Sequence, residues 1–392
     1  MRKLFYMGLE SYVARYSFQL ETWNTREFDR LGINYHIVRG QNLDESKEIK
    51  TGSVLDAHGR SYWSLTQHAE LIRLMQNGEI TNQDVVFYED MFTPGIESVA
   101  YAWNQISETS RPKIFVRCLA QTIDPDDFVH RTGMFEWMSR YEHMVDELVA
   151  QSGGGILCAS EEMIPNLRIR GFKSPLYVTG LPFGKSEVQE YVEPVDWKDR
   201  PKKVVFAARW DSEKQPDFFR DVVNEVTRLD PEVSFYVLTG HKQLKSDIPR
   251  YSSQEFLDSF NNLTVLTGLQ KHEYYRHLAN SRVLFNCALQ DWVSNTVSEA
   301  DTLGCMTIYP AYRSFPEVFA NNPDHMYVPW SVEDASSRVL SAVRTQTRPS
   351  SIGKASHYQN GTIERTVNIL QGLGEQHRRL DGYRKYTRLN KY

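Results

Sequence analysis

Residues 203–229 read KVVFAARWDSEKQPDFFRDVVNEVTRL. The run 203–208 is almost wholly apolar and includes valine and phenylalanine, which predicts a strand buried on both faces. A polar turn follows at 209–214. Pro216 then opens a stretch whose apolar residues recur at helical spacing, predicting a helix over 216–229. A buried strand that turns sharply into an amphipathic helix is the start of a βαβ unit.

The alternation extends in both directions from this stretch. Downstream, strands are expected at 234–239, 263–266, 283–287 and 306–309, with helices at 271–279, 297–303 and 332–345. Upstream, strands are expected at 3–7, 33–38, 84–88, 113–118, 156–159 and 176–179. Helical periodicity falls between them at 11–31, 61–75, 96–106, 134–149 and 161–169. The charged segment 181–201 contains three prolines and breaks the rhythm, as an interdomain linker would. The expected architecture is α/β: two doubly wound, Rossmann-like domains facing across a cleft. The expected boundaries are 1–185, a linker at 186–202, 203–370, and a basic C-terminal helix at 371–392 that packs back on the first domain. Ligands in such sheets gather at the carboxyl ends of the strands.

The chain has 392 residues, enough for two domains at ~150 residues each. With 41% hydrophobic and 24% charged residues, the composition excludes a disordered chain. No apolar run reaches the ~18 residues needed to span a bilayer, and MRKLFYM at the N-terminus lacks the apolar core of a signal peptide. A cytoplasmic protein without stable membrane insertion is therefore expected. The net charge of −5 argues against nucleic-acid binding by the whole surface while leaving room for a local basic patch. Cys118, Cys158, Cys287 and Cys305 are too widely spaced for a zinc ribbon or a thioredoxin motif, and each lies in an apolar segment. They read as buried free thiols in a reducing compartment.

The chemistry is concentrated in the second half. Arg209 and Lys214 flank the strand-to-helix turn, placed to neutralise a diphosphate, although the spacing alone also fits two surface cations. Further on, residues 290–304 read QDWVSNTVSEADTLG. Ser294 or Asn295 can cap the following helix, whose first N–H groups can hold a phosphate around Ser294, Asn295 and Thr296. Glu299 in that helix can accept hydrogen bonds from ribose hydroxyls, and Asp291 sits in the loop before it. Taken alone, these acids also fit an ordinary helix N-terminus.

In order and separation these features resemble the nucleotide-sugar half of the GT-B glycosyltransferases, within the retaining superfamily marked by two acids in an E-x7-E pattern. Arg209 and Lys214 match its Arg and the Lys five residues on, while Asp291 and Glu299 match the paired acids, followed by Ala300 and Gly304. Residues 266–269, 273–280, and 306–310 with Phe315-Pro316-Glu317 resemble the intervening and closing segments. Three positions depart from the pattern: Asp291 replaces Glu, Ala208 replaces Gly, and 292–295 lacks the usual glycines.

The resemblance implies a nucleotide-diphosphate sugar as co-substrate, a UDP-sugar first, with no cofactor and no essential metal. It implies that Arg209 and Lys214 bind and discharge the diphosphate and that Glu299 binds the ribose. Asp291 would meet the donor sugar, and Ser294, Asn295 and Thr296 the phosphates. Gly8, in the loop after the first strand, would stand beside the donor.

A catalytic carboxylate would come from an acidic loop of the first half, either Glu89-Asp90 or the loop of Asp124. Asp124-Pro125-Asp126 also spells a D-x-D metal signature, but an aspartate followed by proline and further acids is a strong helix start without any metal. His68, His130 and His143 lie in helical contexts and read as structural. In 371–392, six Lys and Arg residues face two acids, with tyrosines between them. Arg378, Arg379, Arg384, Lys385 and Arg388 therefore suit a polyanion such as double-stranded DNA, or a solvated helix. The first half and 311–317 look similar to bacteriophage-encoded glycosyltransferases, some of which modify hydroxymethylated pyrimidines in DNA. Saccharide, lipid and protein acceptors stay open, as does a non-catalytic nucleotide-sugar or nucleic-acid binding module. A related phosphorylase would need a lysine-anchored pyridoxal phosphate, and no convincing motif for one is present.

Overall fold

The computed structural model describes residues 2–10, 16–43, 57–127, 130, 133–319, 322–348, 358 and 361–373. The chain divides into two compact units. One comprises Met1–Pro182 together with Gly361–Tyr392, and the other Phe183–Asn360.

The first unit is built on six parallel strands: β1 (Leu4–Met7), β2 (Tyr35–Ile37), β3 (Val85–Tyr88), β4 (Lys113–Cys118), β5 (Gly155–Cys158) and β6 (Leu176–Val178). Their order is β2-β1-β3-β4-β5-β6. Strands β1, β3 and β5 are buried along their whole length, which explains their unbroken apolar sequences. Helices Tyr16–Arg30, Ala57–Gln76, Ile96–Gln105, Phe135–Ser152 and Met163–Ile169 lie between the strands in sequence.

The second unit repeats the plan with β7 (Lys203–Phe206), β8 (Ser234–Leu238), β9 (Leu263–Leu266), β10 (Val283–Phe285), β11 (Met306–Pro310) and β12 (Met326–Tyr327). The order is β12-β11-β10-β7-β8-β9, again parallel throughout. Its chain order reverses between β7 and β10, and that of the first sheet between β1 and β3. Those reversals are the topological switch points at which open α/β sheets bind ligands.

Two boundaries differ from the sequence expectation. The segment expected as a free linker belongs to the second unit. Arg200 is buried there and donates to the carbonyls of Val195, Ser281 and Leu303, while Trp197 Nε1 donates to Thr345 O. The second domain also ends earlier than residue 370. Helix Thr362–Leu370 belongs to the first unit, placing Val367, Ile369 and Leu370 in a core with Leu4, Tyr6, Phe28 and Phe87. All four cysteines are buried and free.

Candidate functional site

The turn after β7 is fixed by Trp210, which is buried against Phe206 and Phe219 and donates from Nε1 to Tyr251 O at 2.8 Å. This anchoring sets the two cations expected from sequence on different footings. Arg209 is partly exposed and pairs with Glu213 at 2.5 Å and Asp211 at 3.4 Å. Burial raises the Asp211 carboxyl, against the lowering pull of Arg209. Lys214 is nearly buried, and its ammonium donates to Gln290 O at 2.6 Å and lies 3.8 Å from Asp291 Oδ2. Leu289 N donates to Glu213 O, and Gln215 Nε2 to Cys287 O. Several bonds thus join the β7 turn to the β10 loop across the switch point.

Gln215 takes a left-handed backbone conformation, φ 54°, at the start of helix Pro216–Leu229. A left-handed non-glycine residue is strained, and such strain is commonly kept where a ligand site fixes the backbone.

The β10 loop leads into helix Asn295–Thr302. Ser294 occupies the N-cap but makes no side-chain capping bond. Its hydroxyl instead meets Asn286 Nδ2 and Thr296 Oγ1, each at 3.2 Å. The Ser294 side chain therefore accepts from none of the first-turn N–H groups, and donors at the positive end of a helix dipole suit an anion. Ser314 Oγ donates to Asp291 O at 2.8 Å and ties in the turn after β11.

Glu299 is buried and already well supplied with partners. Its carboxylate accepts from Tyr274 OH at 2.8 Å and Tyr275 OH at 2.9 Å, and pairs with Lys271 at 3.2 Å. Burial and then the Glu299 charge raise the Tyr274 phenol well above its usual range, which keeps it a hydrogen-bond donor. Lys271, Tyr274 and Tyr275 share helix Lys271–Ala279, where their i, i+3 and i+4 spacing puts them on one face. That spacing was the available signal for these three residues, and sequence reasoning passed over it. Asn286, Gln215 and Glu213 were missed as well, and no local pattern marks them.

In the first unit the three expected carboxylates part company. Glu89 is fully buried and accepts from Arg117 Nε at 2.7 Å and Asn24 Nδ2 at 3.2 Å. Arg117, also fully buried, donates in addition to Thr179 Oγ1, Gly180 O and Thr366 Oγ1. Glu89 thus sits in a closed network, with no exposed edge for an acceptor hydroxyl. Asp90 instead lines a recess with Gly8 at the β1/β3 switch point, paired with Arg60, which also meets Glu10 at 2.6 Å. Burial raises the Asp90 carboxyl, and the Arg60 charge opposes it.

Asp124 is buried, and its side chain accepts from Asp126 N at 3.0 Å within a turn; the described residues 121–127 form turns and not the helix start expected there. His68 is buried, and burial lowers it to about 4. Arg378, Arg379, Arg384, Lys385 and Arg388 lie outside the described residues. Among the described residues, no cluster of His, Cys, Asp and Glu is placed to hold a metal ion, and no helix is long and apolar enough to cross a membrane.

No protein-family model matches the sequence, and no match to a curated protein sequence was found. Solved structures do match. Sucrose-phosphate synthase from Thermosynechococcus elongatus is 11% identical, with 100% of both chains covered and a TM-score of 0.62. A glycosyltransferase from Rickettsia africae is also 11% identical, covering 100% of this chain and 99% of that one at a TM-score of 0.61. The fold is GT-B. Anabaena HepE, solved in complex with UDP, is 12% identical and shares it over 95% of this chain and 98% of its own, with a TM-score of 0.60. The chain spans 59% of the length of S. aureus TarM, with which it is 11% identical at a TM-score of 0.56 over 78% of this chain.

Proposed function

We propose that this GT-B chain transfers a sugar from a nucleotide-diphosphate sugar, a UDP-sugar first, to a hydroxyl acceptor. The observation that carries this reading is the convergence at the β7/β10 switch point. Arg209 and Lys214 share the turn after β7, and Lys214 faces Asp291 in the loop that leads to the helix N-terminus at Ser294, Asn295 and Thr296. The UDP held by the similarly folded HepE supports the choice of base.

In the reaction, the bond between the anomeric carbon and the diphosphate oxygen breaks. Charge then grows on the leaving group, where the two cations and the helix amides stabilise it. To meet the diphosphate, Arg209 exchanges Glu213 for a phosphate oxygen, and Lys214 shares its remaining donors. These charges do the work otherwise given to a divalent metal. Glu299, held in place by Tyr274 and Tyr275, uses its spare acceptor capacity for the ribose hydroxyls. Asp291 orients the donor sugar. Retention of configuration is proposed from the paired-acid pattern of Asp291 and Glu299. Asp90 is the first candidate for a carboxylate near the acceptor, because Glu89 is locked by Arg117 and Asp124 by its own turn.

The acceptor has two readings. The basic residues Arg378, Arg379, Arg384, Lys385 and Arg388 favour duplex DNA bearing hydroxymethylated pyrimidines, a DNA modification of the kind bacteriophages carry out. The second reading is a saccharide, lipid or protein hydroxyl as acceptor. The test is a panel of radiolabelled nucleotide sugars with and without hydroxymethylated duplex DNA. Slow release of nucleoside diphosphate without acceptor, and labelled acceptor when the right one is present, are expected. Binding of the nucleotide with no turnover on any acceptor would make the chain a binding module instead.

A further inference from the structure

The three donors that meet the Glu299 carboxylate all come from helix Lys271–Ala279, and they divide unevenly between its two oxygens. Oε1 accepts from Tyr275 OH at 2.9 Å and from Lys271 Nζ at 3.2 Å, whereas Oε2 accepts from Tyr274 OH alone, at 2.8 Å. An ionised carboxylate offers about four acceptor positions, two on each oxygen. Both positions on Oε1 are therefore taken, and Oε2 keeps one.

Each donor is held in place by something other than Glu299. Tyr275 is fully buried, its ring against Tyr274 at 5.3 Å and Tyr191 at 5.2 Å, so withdrawing its hydroxyl from the carboxylate would strand a buried polar group. The Tyr274 phenol stays protonated, because burial and then the Glu299 charge raise it well above its usual range, and beside a carboxylate it acts as a donor. The Lys271 side chain is 30% exposed, and its ammonium lies 5.4 Å from the centre of the Tyr274 ring and 5.0 Å from that of Tyr275. Attraction to the two rings adds to the ion pair in keeping it there. The start of the helix is fixed by a capping box of Gln270 and Glu273, with Gln270 N donating to Glu273 Oε2 at 2.9 Å.

A ribose brings two neighbouring hydroxyls to such a site. With the three donors in place, Glu299 has a position for one of them. Accepting from both would mean displacing Lys271, with loss of its ion pair and its contacts to two aromatic rings.

We propose that Lys271, Tyr274 and Tyr275 are positioning residues that leave Glu299 a single open acceptor on Oε2, so that the site reads one ribose hydroxyl of the donor and tolerates loss of the other. The proposal rests on the reading of Glu299 as the ribose partner of a nucleotide-sugar donor. It makes helix Lys271–Ala279 a specificity element: the hydroxyl that reaches Oε2 sets which deoxyribonucleotides are rejected, and Lys271 closes the position that would read the second.

The test is calorimetric titration of the wild type and of Lys271→Met with UDP, 2′-deoxy-UDP and 3′-deoxy-UDP. In the wild type one analogue should bind about tenfold more weakly than UDP, and the other within about twofold of it. In Lys271→Met a position on Oε1 opens, and both analogues should then bind about fivefold or more weakly than UDP. A merely structural role for Lys271 would lower all three affinities together and leave their ratios unchanged. Thermal melting checks that the variant is folded, and the wild-type comparison stands without it. Equal losses with both analogues in the wild type, or wild-type ratios in Lys271→Met, overturn the proposal while leaving Glu299 at the ribose. Equal binding of UDP and both analogues, or no binding of UDP, overturns the ribose reading itself and the proposal with it.

Discussion

The Lys214 ammonium reaches from the turn after β7 to the loop after β10, where it stands 3.8 Å from the Asp291 carboxylate. The cation expected to meet a diphosphate is therefore already facing an anion, at the point where the strand order reverses. Any phosphate that binds there competes with Asp291 for the same charge. Asp291→Asn removes the competitor and should tighten UDP binding by up to about fivefold, the worth of a partly exposed ion pair. The same change should slow turnover of the intact UDP-sugar, because Asp291 is assigned to the sugar. Calorimetric titration with UDP and a coupled assay of UDP release check the two halves.

Glu299 and Arg209 should separate in kinetics. Glu299→Gln keeps a partner for Tyr274 and Tyr275 but loses the charge presented to ribose, so the donor KM should rise about tenfold or more with the fold intact. Glu299→Ala should add a stability loss of about 1–3 kcal/mol, because it strands a buried tyrosine hydroxyl. Arg209→Ala should lower kcat instead, since leaving-group charge grows in the transition state. Steady-state kinetics beside thermal melts distinguish the three.

The Glu89–Arg117 pair, 2.7 Å apart and fully buried, should act as structure. Arg117→Met leaves a buried carboxylate uncompensated and should cost about 3–5 kcal/mol. The double variant Arg117→Met/Glu89→Gln should recover part of that loss. Chemical denaturation of the cycle measures it. Activity per folded molecule in Glu89→Gln should stay within a few-fold of wild type; a collapse of turnover would make Glu89 catalytic after all.

Two buried groups give opposing pH dependences. Burial raises Glu142 to about 7 despite two hydrogen bonds from Thr122, while it lowers His68 to about 4. Unfolded, they titrate near ~4.3 and ~6.5. Between those limits the native state holds the Glu142 proton that the unfolded chain has lost, so this contribution falls as pH rises and is gone above pH ~7. For His68 the unfolded chain binds the extra proton, so its contribution is complete above pH ~6.5 and falls as pH drops toward 4. Glu142→Gln should therefore leave stability rising from pH 5 to 6.5, and His68→Gln should leave it falling, each by at most about 1.4 kcal/mol per pH unit. Urea denaturation across that range checks the signs.

Much of this frame was legible in the residues. The helices Pro216–Leu229 and Lys271–Ala279 and the strand Lys113–Cys118 fall where periodicity put them, because each buries a face in the core, and the half-buried strand Leu263–Leu266 falls there too. Strand β12 was missed because two residues carry no period. Helix Thr362–Leu370 was assigned to the wrong unit. Its apolar face is visible in sequence, but the core that receives it is set by contacts with Leu4 and Phe28, more than 300 residues away. The site divides in the same way. Arg209, Lys214, Asp291 and Glu299 stand in local motifs, whereas the partners that buried Glu299 and locked Glu89 come from other segments and leave no mark beside them.

The most direct test is calorimetric titration of UDP into the wild type and into Lys214→Ala, with both shown to be folded. The account predicts saturable binding by the wild type and a loss of about tenfold or more in the variant, as removal of a charge-assisted phosphate contact requires. Equal affinity in the two proteins would contradict it.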